Sequence, residues 1–290
     1  MGKTSITVIG LGPIGQALAG AFLKGGHSTT VWNRTADKAG PLIGQGAVRA
    51  DSVTEAIQAG SIVVICVLNY DAVRSVLEFA GEALAGKILI NMTTGSPFQA
   101  REMAEWAAEN NIDYIDGVIM TLPPAVGTPE SAIMYSGSES AYRNAQSSLA
   151  SLGGLSDYLG EDPGRASAFD LALIGLFWSS MGGYLHALAL AGAEQIGAGQ
   201  FSGYAQKMIG TLSDLMTEVA KHVDEGHYPG DLSNLHSTVA GLENIIHTSE
   251  RHQIDAGLLR AFHSLAKRAI DMGYGDEAVS RLTHVLRMPN

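Results

Sequence analysis

The chain contains 290 residues, of which 46% are hydrophobic and 16% are charged. This length suits one large domain or two ordinary ones, and the hydrophobicity argues against disorder. The single cysteine, Cys66, excludes an intrachain disulfide and any multi-cysteine metal centre. The formal net charge of -11 argues against binding to nucleic acid, because an acidic surface does not neutralise phosphates.

The first 160 residues alternate short apolar runs with amphipathic stretches. The runs are rich in Val and Ile and lack polar alternation, which is typical of strands buried on both faces of a parallel sheet. Helix starts lie between them, at Ser52 with Glu55 and at Ser96 with Pro97 and Gln99. The alternation predicts a doubly wound α/β sheet of Rossmann type with parallel strands. The predicted strands are Ser5–Gly10, Ser28–Trp32, Ile62–Leu68, Lys87–Asn91, Ile112–Ile115 and Ala132–Ser136.

Only helical patterns follow from about Ala166 onward, with breaks at 197–199, 227–231 and 273–275. The sequence therefore predicts a Rossmann domain over residues 1–163, a long inter-domain helix over 164–195 and an all-α C-terminal domain over 196–290.

The segment 168–193 is apolar on every side, as in a membrane span or in the buried helix of a larger protein. Its polar residues, including Asp170 and His186, and the lack of basic flanks favour the buried helix. The N-terminus has no secretory signal pattern. We expect a cytoplasmic protein that does not bind a membrane.

The motif Gly10-Leu11-Gly12-Pro13-Ile14-Gly15 directly follows the first predicted strand and opens a helix. In this context the first glycine permits a tight turn, the second lets a pyrophosphate approach and the third allows close helix packing. The helix N-terminus then faces the phosphates. We expect the dinucleotide to contact the first five residues of the motif; the alternative is a purely structural turn.

The end of the second strand distinguishes NAD from NADP, because NAD sites usually place a carboxylate there. This chain has Asn33, Arg34, Thr35 and Lys38 instead, a set that suits a 2′-phosphate. A solvated basic turn is the alternative. The cofactor predicted is NADPH. Further contacts are expected at the ends of the next two strands, from Val67, Leu68, Asn69, Asn91, Thr93 and Thr94.

Four segments, GLGPIG, VWNRT, NMTTGSP and GEDPGRASAFDLAL, resemble the β-hydroxyacid dehydrogenase superfamily and, within it, the NADPH-dependent imine reductases. The resemblance covers essentially the whole chain and implies a 6-phosphogluconate dehydrogenase-like C-terminal domain. In the hydroxyacid dehydrogenases a catalytic lysine matches Asp170 of this chain, and an asparagine matches Ile174. Both departures argue against an alcohol substrate.

The physical properties of Asp170 agree with this interpretation. An iminium ion is a cation, which a carboxylate attracts and a lysine repels. Burial would raise the pKa of Asp170, so it either donates a proton to an imine or stays charged beside an iminium. An idle first-turn carboxylate is the alternative. Predicted substrate-lining residues are Met120, Leu122, Pro123, Ile174, Trp178, Met181 and His236.

The resemblance further implies a homodimer with interlocked helical domains. The histidines repeat no ligand spacing, so we expect no metal. The predicted activity is NADPH-dependent reduction of cyclic imines or iminium ions to amines, and the sequence leaves open whether carbonyl and amine are also condensed. The alternatives are a hydroxyacid dehydrogenase-like NADP oxidoreductase and a non-catalytic NADPH-binding protein.

Overall fold

The computed structural model of the protein describes residues 4–78 and 80–288. Contacts between residues divide the chain into two compact units, residues 1–175 and residues 176–290. The three-part division into residues 1–163, 164–195 and 196–290 stays a prediction.

The first unit is built on one eight-stranded sheet within the described residues, with the spatial order β3-β2-β1-β4-β5-β6-β7-β8. The six strands from β3 to β6 are parallel, as in a Rossmann fold, which confirms the predicted fold class. The strands are β1 (Ser5–Ile9), β2 (Ser28–Trp32), β3 (Val48–Arg49), β4 (Ile62–Ile65), β5 (Ile88–Asn91), β6 (Asp113–Ile119), β7 (Ala132–Gly137) and β8 (Leu155–Tyr158).

Helices cover both faces of this sheet. Ser52 accepts a hydrogen bond from the Glu55 N–H, and Ser96 and Gln99 form a reciprocal capping box, so both predicted helix starts are confirmed. The helices are α1 (Pro13–Lys24), α2 (Gly40–Ile43), α3 (Val53–Ala59), α4 (Tyr70–Glu78), α5 (Pro97–Glu109) and α6 (Glu139–Leu149), with 3₁₀ turns at Ala36–Ala39, Gly81–Leu84, Pro123–Ala125 and Ala150–Leu152.

The prediction that all strands are parallel is wrong at β7, which runs antiparallel to β6. The connection over residues 120–131 holds only a 3₁₀ turn, so it lacks the crossover helix that a parallel neighbour requires. Two strands were not predicted: β3 has two residues, and β8 at the sheet edge reads LSDY, which carries little apolar signal.

The second unit is helical throughout its described residues, as predicted. Helix α7 (Arg165–Ala193) begins in the first unit and continues into the second. The predicted breaks after α7 and α8 are confirmed, and a further break at 252–256 separates α9 from α10. The remaining elements are α8 (Ala198–Glu225), α9 (Leu235–Arg251), α10 (Gly257–Ala269), a π-helical turn (Ile270–Tyr274), a 3₁₀ turn (Val279–Arg281) and α11 (Leu282–Val285).

Alternate residues of the strands enter two apolar cores, one on each face of the sheet. This double burial explains the unbroken apolar runs of the central strands. The first core contains Ile6, Val8, Leu18, Phe22 and Val64, among others. The second contains Ile9, Val63, Ile65, Leu89 and Tyr114, among others.

Helix α7 is long and apolar enough to cross a membrane by length and composition, and none of its most apolar window is buried in the single chain. Phe177 and Trp178 are 55% and 65% exposed. In the single chain these side chains are therefore exposed, and burial of the helix stays a prediction. Sequence shows that a helix is apolar on every side, but not what covers it.

Candidate active site

A cleft of about 1350 Å³ lies in the first unit, and the carboxyl ends of β1, β2 and β4 contribute to its lining. This is where open α/β sheets bind ligands. Eleven predicted cofactor contacts line it, from the glycine motif, the β2 end and the later strand ends. They are Gly10, Gly12, Pro13, Ile14, Asn33, Arg34, Thr35, Lys38, Val67, Leu68 and Thr94.

The glycine motif brings α1 close to the sheet and leaves its N-terminus open. Gly10 has a φ of 94°, and a Cβ there would lie 2.1 Å from the Cys66 carbonyl oxygen. A Cβ at Gly15 would lie 1.9 Å from the Gly10 carbonyl oxygen. Gly12 is the N-cap of α1 without a side-chain cap, and nothing lies within 4 Å of a Cβ built there. The open helix end fits a phosphate.

Asn33 connects the glycine motif to the end of β2. Its Oδ1 accepts a hydrogen bond of 2.9 Å from the Leu11 N–H, and its Nδ2 donates one of 3.0 Å to the Thr35 carbonyl. The side chains of the exposed Arg34 and Lys38 make no hydrogen bond or ion pair with any other residue that the structure describes. Asp51, an acidic residue of the lining, is already paired with Arg49 at 2.8 Å. The free donors therefore fit a 2′-phosphate.

Four predicted cofactor contacts do not reach the lining. Leu11, Asn91 and Thr93 are buried, and Asn69 caps α4 by accepting a hydrogen bond of 2.9 Å from the Ala72 N–H. The Asn91 Oδ1 accepts from the Thr93 N–H at 3.1 Å, and the Thr93 Oγ1 accepts from the Val67 N–H at 3.1 Å. Through these bonds Asn91 and Thr93 support Val67, which lines the cleft.

Asp170 lies at the start of α7 and is only 3% exposed. Its carboxylate has no hydrogen-bond or ion-pair partner among the described residues. Burial raises the pKa of this carboxyl above its ordinary value. A buried carboxyl without a partner can donate a proton when neutral and attract a cation when charged.

Two family models together match nearly the whole chain. Residues 5–160 match the NAD binding domain of 6-phosphogluconate dehydrogenase. Residues 162–288 match the NADPH-dependent reductive aminase-like C-terminal domain. An NADPH-dependent reductive aminase from Aspergillus oryzae is 36% identical over 98% of this chain and 97% of its own length.

Solved structures give the same result. An imine reductase from Myxococcus stipitatus in complex with NADP+ is similar with a TM-score of 0.93 and 35% identity, over 98% of this chain and all of its own. A reductive aminase from Aspergillus terreus in complex with NADPH4, cyclohexanone and allyl amine has a TM-score of 0.91 and 37% identity, over 99% of this chain and all of its own. The chain belongs to the NADPH-dependent reductive aminase and imine reductase family.

The predicted substrate residues occur in both units. In the first unit Leu122 and Pro123 line the cleft, and Met120 does not, although Ile119 and Thr121 on either side of it do. Ile174 is half-buried on α7, one turn beyond Asp170.

In the second unit Trp178 packs edge-on against Phe177 at 5.2 Å and is largely exposed. Met181 is half-buried. His236 is exposed at the start of α9, with its ring against Gly275. No group of three potential metal ligands occurs in the described part of the chain. Lining by these residues stays a prediction.

Several residues of the cleft were not predicted from the sequence. Ser52 and Thr54 follow β3, which is too short to be recognised as a strand. Cys66 also lines the cleft, and burial raises the pKa of its thiol to about 11. The thiol is therefore neutral near pH 7 and unsuited to act as a nucleophile. Other polar residues of the lining that were not predicted are Ser75 and Thr121.

Proposed function

We propose that the protein reduces cyclic imines or iminium ions to amines, with NADPH as the source of hydride when it is bound. The observation that carries this proposal is Asp170, a buried carboxyl without a partner, in a chain of the imine reductase family. An iminium ion is attracted by a carboxylate and repelled by an ammonium group. The charge at this position therefore selects C=N over alcohol chemistry.

The cleft residues divide into binding and supporting groups. Arg34, Thr35 and Lys38 would hold a 2′-phosphate, and the open N-terminus of α1 at Gly12 would hold the pyrophosphate. Asn33 would keep these two segments in register through its two hydrogen bonds.

Asp170 would act at the substrate nitrogen. Its raised pKa increases the neutral fraction of the carboxyl, which favours proton donation to an imine. In its charged form the same group would hold an iminium ion by attraction. The two roles can be distinguished with a permanently alkylated iminium ion, because this substrate is already charged and needs no proton.

We also propose that the protein accepts a carbonyl compound together with an amine. The Aspergillus terreus structure contains both cyclohexanone and allyl amine, and structures of the same enzyme hold ketoesters. A ketone and a primary amine condense to an imine with loss of water, and this imine would be reduced as above.

A cytoplasmic homodimer with interlocked helical units is part of the proposal. Helices α7 and α8 expose large apolar side chains in the single chain, and a second copy would cover them. Trp178, Met181 and His236 would then contribute to substrate binding.

The test is a spectrophotometric assay of NADPH oxidation with five-, six- and seven-membered cyclic imines, and with a ketone plus an amine. We expect turnover that requires the imine or both condensing partners. The control is NADP+ reduction with several β-hydroxyacids, where no turnover is expected. Tight NADPH binding without oxidation by any imine, or preferential turnover of hydroxyacids, would overturn the proposal.

A further inference from the structure

A second buried carboxylate, Asp116 on β6, lies at the centre of a hydrogen-bond network that the predicted site does not include. Asp116 is fully buried. Its Oδ2 accepts a hydrogen bond of 2.6 Å from the Ser167 hydroxyl. Its Oδ1 accepts bonds of 3.1 Å from the Tyr70 hydroxyl and 3.4 Å from the Tyr114 hydroxyl. Three elements, α4, β6 and α7, therefore meet at one side chain.

The network extends to the floor of the cleft. The Asn91 Nδ2 donates a hydrogen bond of 3.3 Å to the Tyr114 hydroxyl. Asn91 also accepts from the Thr93 N–H, and Thr93 accepts from the N–H of Val67, a residue of the lining. One end of the network thus supports the cofactor cleft, and the other holds the first turn of α7.

Burying Asp116 is costly, because no cation lies among its hydrogen-bond partners. Burial raises its pKa to about 6, while the Ser167 and Tyr70 donors lower it. At neutral pH it is therefore mainly an anion, and the 2.6 Å bond from Ser167 has the short length typical of a charge-assisted hydroxyl bond. Such a bond defines a side-chain position more tightly than apolar packing does.

Ser167 precedes Asp170 by three residues, so the two side chains lie on neighbouring positions of one helix face. Ser136 already holds the entry to α7, since its hydroxyl accepts from the Ala166 N–H and donates to the Pro163 carbonyl, both at 3.0 Å. Those bonds involve only the backbone of the entry segment. The side-chain bond from Ser167 to Asp116 adds a restraint on the rotation of the helix about its axis.

We propose that Asp116, through Ser167, is a positioning residue that sets the rotation of the first turn of α7 and with it the placement of the Asp170 carboxylate. This inference rests on the proposed role of Asp170. Neither Asp116 nor Ser167 contacts the reacting atoms in this account. Their loss should lower the rate of reduction and leave the binding of NADPH unchanged.

The test is a double-mutant cycle of Ser167→Ala and Asp170→Asn, with kcat and the NADPH Kd measured for each protein. Displacing a catalytic group by about 1 Å can cost about 100-fold in rate, and we expect Ser167→Ala to lower kcat by about 10- to 100-fold. In the Asp170→Asn background the same substitution should change kcat by less than about twofold, because the group that it positions is gone. The NADPH Kd should stay constant throughout.

Two variants control for structural effects. Ser148→Ala removes a hydroxyl that is equally buried and lies on α6. This hydroxyl has no hydrogen-bond partner in the described part of the chain, so the kcat of the variant should match the wild type. Ser167→Thr keeps the hydroxyl and should restore most of the kcat. If Ser167→Ala does not fold, Tyr70→Phe serves in the same cycle, because it removes a donor to the other oxygen of Asp116.

The outcomes distinguish a failure of the proposed role of Asp170 from a failure of the positioning role of Asp116 and Ser167. If Asp170→Asn retains full activity, the proposed function of Asp170 fails. If Asp170→Asn is impaired but Ser167→Ala has the wild-type kcat, the positioning inference is overturned. Losses that multiply in the double variant would also overturn it, because Ser167 would then act independently of Asp170.

Discussion

Asp116 and Asp170 are two buried carboxylates in opposite surroundings. Asp116 accepts hydrogen bonds from three hydroxyl groups, whereas Asp170 has no partner among the described residues. Fully satisfied polar groups hold a structure in place, and unsatisfied ones are available for chemistry. The contrast supports the proposed positioning role of Asp116 and the proposed catalytic role of Asp170.

The raised pKa of Asp116 makes its contribution to stability dependent on pH. Because the folded state favours the protonated form, this contribution is present below about pH 4 and is lost as the pH rises through about 6. Between pH 7.5 and 4.5, the wild type should gain about 2 kcal/mol in free energy of unfolding relative to Asp116→Asn. Urea denaturation at both pH values measures this gain.

Asp113→Asn is the matched control for this measurement, because Asp113 lies on the same strand and is exposed. The wild type should show no comparable gain relative to Asp113→Asn on the same acidification, because this variant keeps Asp116. Equal pH dependence for the wild type and Asp116→Asn would contradict the assignment.

Arg34 should determine the preference for NADPH over NADH. Loss of a charged hydrogen-bonding group costs about 1.5–3 kcal/mol, so Arg34→Ala should weaken NADPH binding by about 10- to 100-fold and NADH binding little. Titration calorimetry with both nucleotides measures the change. Arg143→Ala removes another exposed cation, one paired with Glu139 on α6, and should change neither Kd. Equal losses for both nucleotides would exclude the 2′-phosphate role.

Residues in motifs could be predicted from sequence, and residues in networks could not. Arg34 and Asp170 stand at positions where a known pattern assigns a role to the residue type. Asp116 lies in the stretch YIDGVIM, which shows only a strand, and its hydroxyl partners Tyr70 and Ser167 are 46 and 51 positions away. Sequence spacing does not show such distant pairs, because these residues come together only when the sheet has folded.

At the scale of elements, the close approach of α1 to β1 depends on Gly15. A Cβ at Gly15 would meet the Gly10 backbone at 1.9 Å, and backbone atoms cannot move aside cheaply. Gly15→Ala should destabilise the fold by about 1–3 kcal/mol and weaken NADPH binding, because the helix N-terminus shifts. Thermal denaturation and nucleotide titration measure the two effects.

Gly20→Ala is the control on the same helix. A Cβ there would meet only the Gln45 side chain at 3.6 Å, an ordinary contact. Because alanine favours helix over glycine by about 1 kcal/mol, this variant should be as stable as the wild type or more so. A destabilisation equal to that of Gly15→Ala would show that close packing is not the cause.

Element type could be predicted where apolar runs are long, and element direction could not. The central strands β1, β4 and β5 are apolar on both faces, which the sequence shows directly. The antiparallel direction of β7 depends on the short connection before it, and the two-residue β3 has no pattern of its own.

At the scale of the whole molecule, α8 carries an exposed apolar stripe. Its residues recur at helical spacing on one side of the helix, and Tyr204 and Met208 are 70% and 66% exposed. Exposed apolar surface of this kind usually marks an interface. The stripe consists of Tyr204, Met208, Ile209, Leu212, Leu215 and Met216.

Met208→Glu should therefore break the proposed homodimer. We expect light scattering to give twice the chain mass for the wild type and a lower average mass for the variant, because a charge would be buried without a partner. Gln206→Glu adds the same charge on the opposite side of α8 and should stay dimeric. A wild type that is monomeric and fully active at the same concentration would contradict the proposed homodimer.

The role of Asp170 is tested most directly by stopped-flow measurement of NADPH oxidation at saturating nucleotide, in the wild type and in Asp170→Ala. The substrates are a neutral cyclic imine and its permanently alkylated iminium. General acid catalysis contributes about 100-fold or more, and we predict at least that loss with the imine and an unchanged NADPH Kd. A loss confined to the imine assigns proton donation, and an equal loss with both substrates assigns electrostatic attraction. Wild-type rates in the variant with both substrates would contradict the account.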